Sequence, residues 1–182
     1  QLAINSADGH AIHGEVRTRP WKVAFRTQTE LDLDFNSTEY PGISWPFAFT
    51  ARVRFRLEAN RFSIITSVQN LSSEEAPAGM GIHPYFVRSL TEQDDQVIVE
   101  LPVIGVYPGE TPIPTGRWEK VPPELDFSSR RELTAEFVDK CFRVECRPAV
   151  IEWPRSRVRL MMDWDPVYQH LILYCPKDDH RY

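Results

Sequence analysis

Three short segments carry side chains able to move protons or hold hydroxyl groups. In "GMGIHPYF", His83 precedes a proline, which pushes it away from the α region toward extended backbone. An extended chain alternates its side chains, so Tyr85 is expected on the face of His83, with Ile82, Pro84 and Phe86 opposite. Gly79 and Gly81 remove side chains just upstream and leave space for another group to approach. In "DGHAIHGEVRTRPW", His13, Arg17 and Trp21 combine a proton carrier, a fixed cation and a large apolar plate. Those are the tools for binding a neutral polyol: the aromatic face packs on its apolar side and charged groups take its hydroxyls. In "EFVDKCF", Asp139 sits in an otherwise apolar stretch, which predicts a partly buried carboxylate in need of donors from protein or ligand.

Each segment also has a plainer reading. His83 and Tyr85 fit a hydrogen-bonded structural histidine and a core aromatic, and Arg17 and Trp21 fit a surface arginine and a core tryptophan. Asp139 fits a turn or cap. His10 and His13, with Asp8 or Glu15, have the residue types of a metal site. Residues three apart share a face only on a helix, and Gly9 and Gly14 oppose one, so no metal or other cofactor is expected.

The elements that must position these groups read as strands. Fifteen prolines leave little room for long helices. "FTARVRFRL" places Phe49, Ala51, Val53, Phe55 and Leu57 on one face and Thr50, Arg52, Arg54 and Arg56 on the other, the period of a half-buried strand. "EAN" turns the chain and "RFSIITSV" returns as the second arm of a hairpin. Further strands are expected at "WKVAF", "ELDLDF", "QVIVELPV", "RVRLMMDW" and "YQHLILY", with one short helical turn in "PPELDFSSRREL". The chain is read as a single all-β domain over residues 1–182, a mostly antiparallel sandwich or barrel.

Bulk properties narrow the partners. A net charge of −5 without a basic stripe argues against nucleic acid. No segment approaches the ~18 consecutive apolar residues of a membrane helix. Cys141, Cys146 and Cys175 are odd in number and form no Cys-x-x-Cys pair, which suits reduced thiols in the cytoplasm.

In their order along the chain, "HGEVRTRPW", "WPFAF", "NLSSEEAPAGMGIHPYF", "VYPGETPIPTGRWEKVP", "LDFS" and "FVDKCF" resemble the aldose 1-epimerase (galactose mutarotase-like) family from about His13 onward. The resemblance implies a large antiparallel β-sandwich, incomplete here at both ends, with a sugar cleft on the concave face of one sheet. It implies interconversion of the α and β anomers of a free aldose such as galactose, without metal or redox chemistry. His83 would be the acid that protonates the ring oxygen, His13 would contact the sugar near the reacting centre, and Asp139 would hold sugar hydroxyls. Arg17 and Trp21 fit the "HGxxRxxxW" form of one branch, and Tyr85 belongs to the "HPYF" context. A hexose-6-phosphate epimerase, with Arg17, Arg19 and Arg88 as phosphate ligands, and a non-catalytic carbohydrate-binding module are the alternatives.

The same resemblance implies a glutamate base, followed by proline, after a strand like "HLILYCP"; neither Glu145 nor Glu152 stands in that context. The 182-residue chain is therefore expected to change anomers near the uncatalysed rate. Polarimetry on freshly dissolved glucose checks this, and full activity overturns that placement of the base.

Overall fold

The computed structural model describes residues 4, 6, 9–91, 95–109, 113–114, 116–134 and 136–176. Among them lie eleven strands in three antiparallel sheets and two single-turn 3-10 helices, with no α-helix. The chain divides into two compact units, Gln1–His83 and Pro84–Tyr182, described in turn.

The first unit is a four-stranded meander of β1 (Lys22–Arg26), β2 (Glu30–Asn36), β3 (Phe49–Glu58) and β4 (Arg61–Asn70), ordered β1-β2-β3-β4. The expected hairpin is β3 and β4, whose register runs from Phe49 opposite Asn70 to Glu58 opposite Arg61. Its two-residue turn places Ala59 at φ 50, the left-handed region such tight loops require. The alternation read in β3 is realised across the β2–β3 pair. Arg52, Arg54 and Arg56 stand opposite Asp34, Asp32 and Glu30, with N···O separations of 2.6, 3.1 and 3.6 Å. Such partly exposed cross-strand pairs contribute only ~0.2–1 kcal/mol each and act mainly to hold register. On the opposite face, Phe35 and Ala51 are buried, and Phe35 stacks on Tyr40 at 4.9 Å between centroids.

The second unit is a sandwich. One sheet is ordered β10-β9-β5-β7, from Val158–Met162, Ala149–Trp153, Ile98–Glu100 and Arg131–Glu132. The other is β11-β8-β6, from His170–Cys175, Val138–Val144 and Val103–Val106. Val99, Ile151 and Trp153 from the first sheet and Val103, Phe142 and Val144 from the second fill a common core.

One expectation is corrected here. "QVIVELPV" is not one strand: buried Pro102 ends β5, and the chain crosses to the other sheet as β6. The helical turn expected in "PPELDFSSRREL" is the 3-10 turn Pro123–Leu125, followed by β7. It extends no further because Arg131 collects the carbonyls of Pro123, Glu124 and Asp126 at 3.0–3.2 Å while lying over the Phe127 ring. The Asp126 carboxylate meanwhile accepts from the Ser128 amide, which turns the backbone away from helical geometry.

The two faces of the β11-β8-β6 sheet differ sharply, and this predicts contrasting mutants. Phe142 is 0% exposed, so Phe142→Ala should cost about 3–5 kcal/mol in urea unfolding. Ile172 is 68% exposed, so Ile172→Ala should stay within about 0.5 kcal/mol. Equal losses would show the faces to be misassigned.

Candidate functional site

In the first unit, His13 opens a series of turns between residues 13 and 18. His13 has φ 59 and Gly14 φ 63, two successive left-handed residues. Glycine takes this conformation freely, whereas a residue with a Cβ is disfavoured by ~1–2 kcal/mol, so surrounding contacts must hold His13 there. The segment is neither the helix a His10–His13 metal pair needs nor a strand. Asp8 lies outside the described residues, and among those described no group of three or more His, Cys, Asp or Glu side chains could hold a metal ion.

Contacts anchor this turn from several directions. The Trp21 indole N–H donates to the Val16 carbonyl at 3.2 Å, and its ring lies 5.4 Å from that of Phe35. Trp21 is thus half-buried in the aromatic cluster over β2. Arg19 is engaged inside the protein: it pairs with Glu15 at 3.2 Å, donates to the Gly42 carbonyl at 3.3 Å and lies over the Tyr40 ring. Arg17 is exposed on the turn.

His83 comes to this turn from 70 residues along the chain. The rings of His13 and His83 lie 5.4 Å apart between centroids at an interplanar angle of 71°, an edge-to-face contact. The extended segment expected around His83 forms no strand, for residues 71–87 join no sheet. "APAGMGIHP" explains this: its prolines lack the N–H a ladder needs, and its glycines supply no side chain to pack.

The pairing has an electrostatic consequence. His13 is held below the ordinary histidine range, first by partial desolvation of its ring and then by repulsion from His83 and Arg17. Neutral imidazole is thereby favoured at 13, the form that can accept a proton.

In the second unit, Asp139 is exposed on β8, where a partly buried carboxylate was expected. Alternation is the reason. Phe142 and Val144 point into the core, so Asp139, Cys141 and Arg143 take the solvent face. The register sets Tyr174 opposite Asp139 and His170 opposite Arg143, so this face also carries two groups not singled out from sequence. Phe137 meets the Tyr174 ring edge-on at 6.2 Å, and the Tyr107 hydroxyl is hydrogen-bonded to His170 Nε2 at 2.9 Å. Period-2 spacing in "YQHLILY" already placed His170 and Tyr174 together; the proximity of Tyr107 depends on pairing between distant strands. Tyr85 is exposed in this unit, and Arg88 donates to the Thr134 carbonyl at 3.2 Å.

The family follows from a comparison that covers the whole chain: residues 1–182 match the aldose 1-epimerases. The chain belongs to the aldose 1-epimerase family. It is 31% identical over 146 residues to the uncharacterized protein YihR of Escherichia coli K12, covering 79% of this chain and 46% of that one. It is 26% identical over 160 residues to the uncharacterized protein YphB of the same organism, covering 87% and 52% respectively. The chain thus spans about half the length of these curated relatives.

Solved structures agree on the fold. A crystal structure described as a "Putative aldose 1-epimerase" from Escherichia coli K12 superposes with a TM-score of 0.82 at 22% identity, over 98% of this chain and 58% of that one. A galactose mutarotase-like protein from Lactobacillus casei ATCC 334 gives a TM-score of 0.70 at 18% identity, over 87% and 56%. Both place the chain in the galactose mutarotase-like β-sandwich fold.

The imidazole pair makes a titration prediction. By proton NMR, His13 should titrate below the ~6.5 of a free imidazole. His83→Asn should move it upward but not fully back, since desolvation is the larger cause. Below that ordinary value the unfolded chain binds more protons at this site than the folded one. The contribution of His13 to stability is therefore present above ~6.5 and lost as pH falls through its folded pKa.

Proposed function

We propose that the protein is an aldose 1-epimerase acting on a free aldohexose such as galactose or glucose, through acid–base ring opening. The observation that carries this reading is the close edge-to-face approach of His13 and His83, on a chain that belongs to the family throughout. In the proposed reaction a proton leaves the anomeric hydroxyl while another arrives at the ring oxygen, and the carbon–oxygen bond of the hemiacetal breaks. Rotation about the first carbon–carbon bond and closure on the other face complete the turnover, with protons moving in reverse.

His83 is assigned the proton that goes to the ring oxygen. His13, kept neutral by its surroundings, is assigned contact with the sugar beside the reacting centre. Asp139 accepts hydrogen bonds from sugar hydroxyls, and Tyr174 stands opposite it on the same sheet face. Arg17, Trp21 and Tyr85 remain assigned to substrate binding. The base that takes the anomeric proton is the glutamate implied by the family resemblance. A cytoplasmic location belongs to the same proposal, supported by three free cysteines; among the described residues no helix is long and apolar enough to cross a membrane.

Two measurements test the assignment. Saturation-transfer NMR should detect aldohexose binding, and Asp139→Ala should weaken it about tenfold, as expected for a hydrogen bond to a charged group. Anomer-exchange NMR on the full-length protein should show catalysis that His83→Asn lowers by ~10²–10⁴-fold with binding retained. Binding with no exchange in the unmodified full-length protein would instead identify a carbohydrate-binding module. Higher initial rates on glucose 6-phosphate than on glucose would redirect the assignment to phosphorylated hexoses.

A further inference from the structure

Glu15 lies two residues beyond His13, and its carboxylate is committed on both oxygens. Oε1 accepts from the Ser44 amide at 2.8 Å and from the Ser44 hydroxyl, while Oε2 accepts from Arg19 at 3.2 Å. The side chain is only 15% exposed. Arg19 reaches on to the Gly42 carbonyl, so one carboxylate and one guanidinium join the turn of residues 13–19 to the loop of residues 41–45.

We infer that Glu15 is a positioning residue for His13, bolting the left-handed turn to the loop at Ser44 so that the two imidazoles meet edge to face. This rests on the proposed function only for its kinetic consequence; the structural claim stands on geometry within the first unit. Two left-handed residues in succession, one of them a histidine, are not a conformation the chain adopts unaided. Gly14 alone separates the held carboxylate from His13, so fixing Glu15 limits how far the backbone at His13 can move. The strength of the grip shows in the carboxyl group, which is held below its usual range. The Ser44 hydroxyl is the largest cause, burial opposes it, and the Ser44 amide and Arg19 reinforce it. For proton transfer, a displacement of ~1 Å in a reacting group can cost ~10²-fold in rate, so such a bolt has a function beyond stability.

The test uses the 182-residue chain and reads the rings directly. Glu15→Ala, with circular dichroism and the amide shifts of β1–β4 unchanged, should abolish the nuclear Overhauser contact between the His13 and His83 rings. In that background His83→Asn should no longer move the His13 titration. Glu15→Gln, which keeps an oxygen for the Ser44 amide, should restore the ring contact. Should Glu15→Ala fail to fold, Ser44→Ala, which retains the backbone donor, should weaken the same contact. In the full-length protein, Glu15→Ala should lower the catalytic rate of anomer exchange by ~10–10²-fold, a larger loss than that in sugar affinity. Persistence of the ring contact in Glu15→Ala or in Ser44→Ala overturns the inference. A ring contact that depends on Glu15 in a protein with no exchange activity upholds the inference and defeats the epimerase reading, so the two failures are distinct.

Discussion

Phe142 is wholly removed from solvent on β8, and the pleat of a strand lets its neighbours choose only between two directions. With Phe142 and Val144 committed to the core they share with Val103 and Trp153, Asp139 must face outward. The opposite strand obeys the same rule. Cys175 is buried and Leu171 and Leu173 pack on the core, so His170, Ile172 and Tyr174 face solvent beside Asp139. The polar surface of this sheet is thus a by-product of burying its apolar one. A slip of one residue in the β8–β11 register would exchange the two sets.

The first unit solves the positioning problem differently. Its residues His13 and His83 lie on turns and extended loops, where no ladder fixes direction. Direction comes instead from side-chain contacts. Phe35 gathers Trp21, Tyr40 and Phe49 around itself, and Trp21 and Arg19 extend this cluster toward the turn bearing His13. A sheet carries the anchor, and a short irregular segment carries the imidazole. Loops held in this way are common carriers of function because irregular backbone can aim a side chain where a strand cannot.

Much of this was legible in the sequence wherever one period ruled a segment. β2 and β3 alternate cleanly, and their pairing sets apolar residues on one face and charged ones on the other. β9 is not legible, because "AVIEW" is buried at almost every position and so shows no alternation. β8 is hidden in another way: the charges of Asp139, Lys140 and Arg143 interrupt its apolar residues. Among the candidate site residues, the motifs named His13, His83 and Asp139. They could not reveal the angle between the rings, the engagement of Arg19 or the commitment of Glu15, which arise from partners 20 to 70 positions away.

The positive φ of His13 also bears on how this position can change. A left-handed backbone excludes β-branched side chains on steric grounds and penalises most others, while asparagine and aspartate enter it more readily because their short polar groups bond locally. Drift at this site is thereby channelled. Substitutions that leave the turn undisturbed are small and polar or lack a Cβ, whereas valine or isoleucine would rebuild the loop itself. The backbone, as much as any ligand, limits which chemistries can succeed an imidazole there.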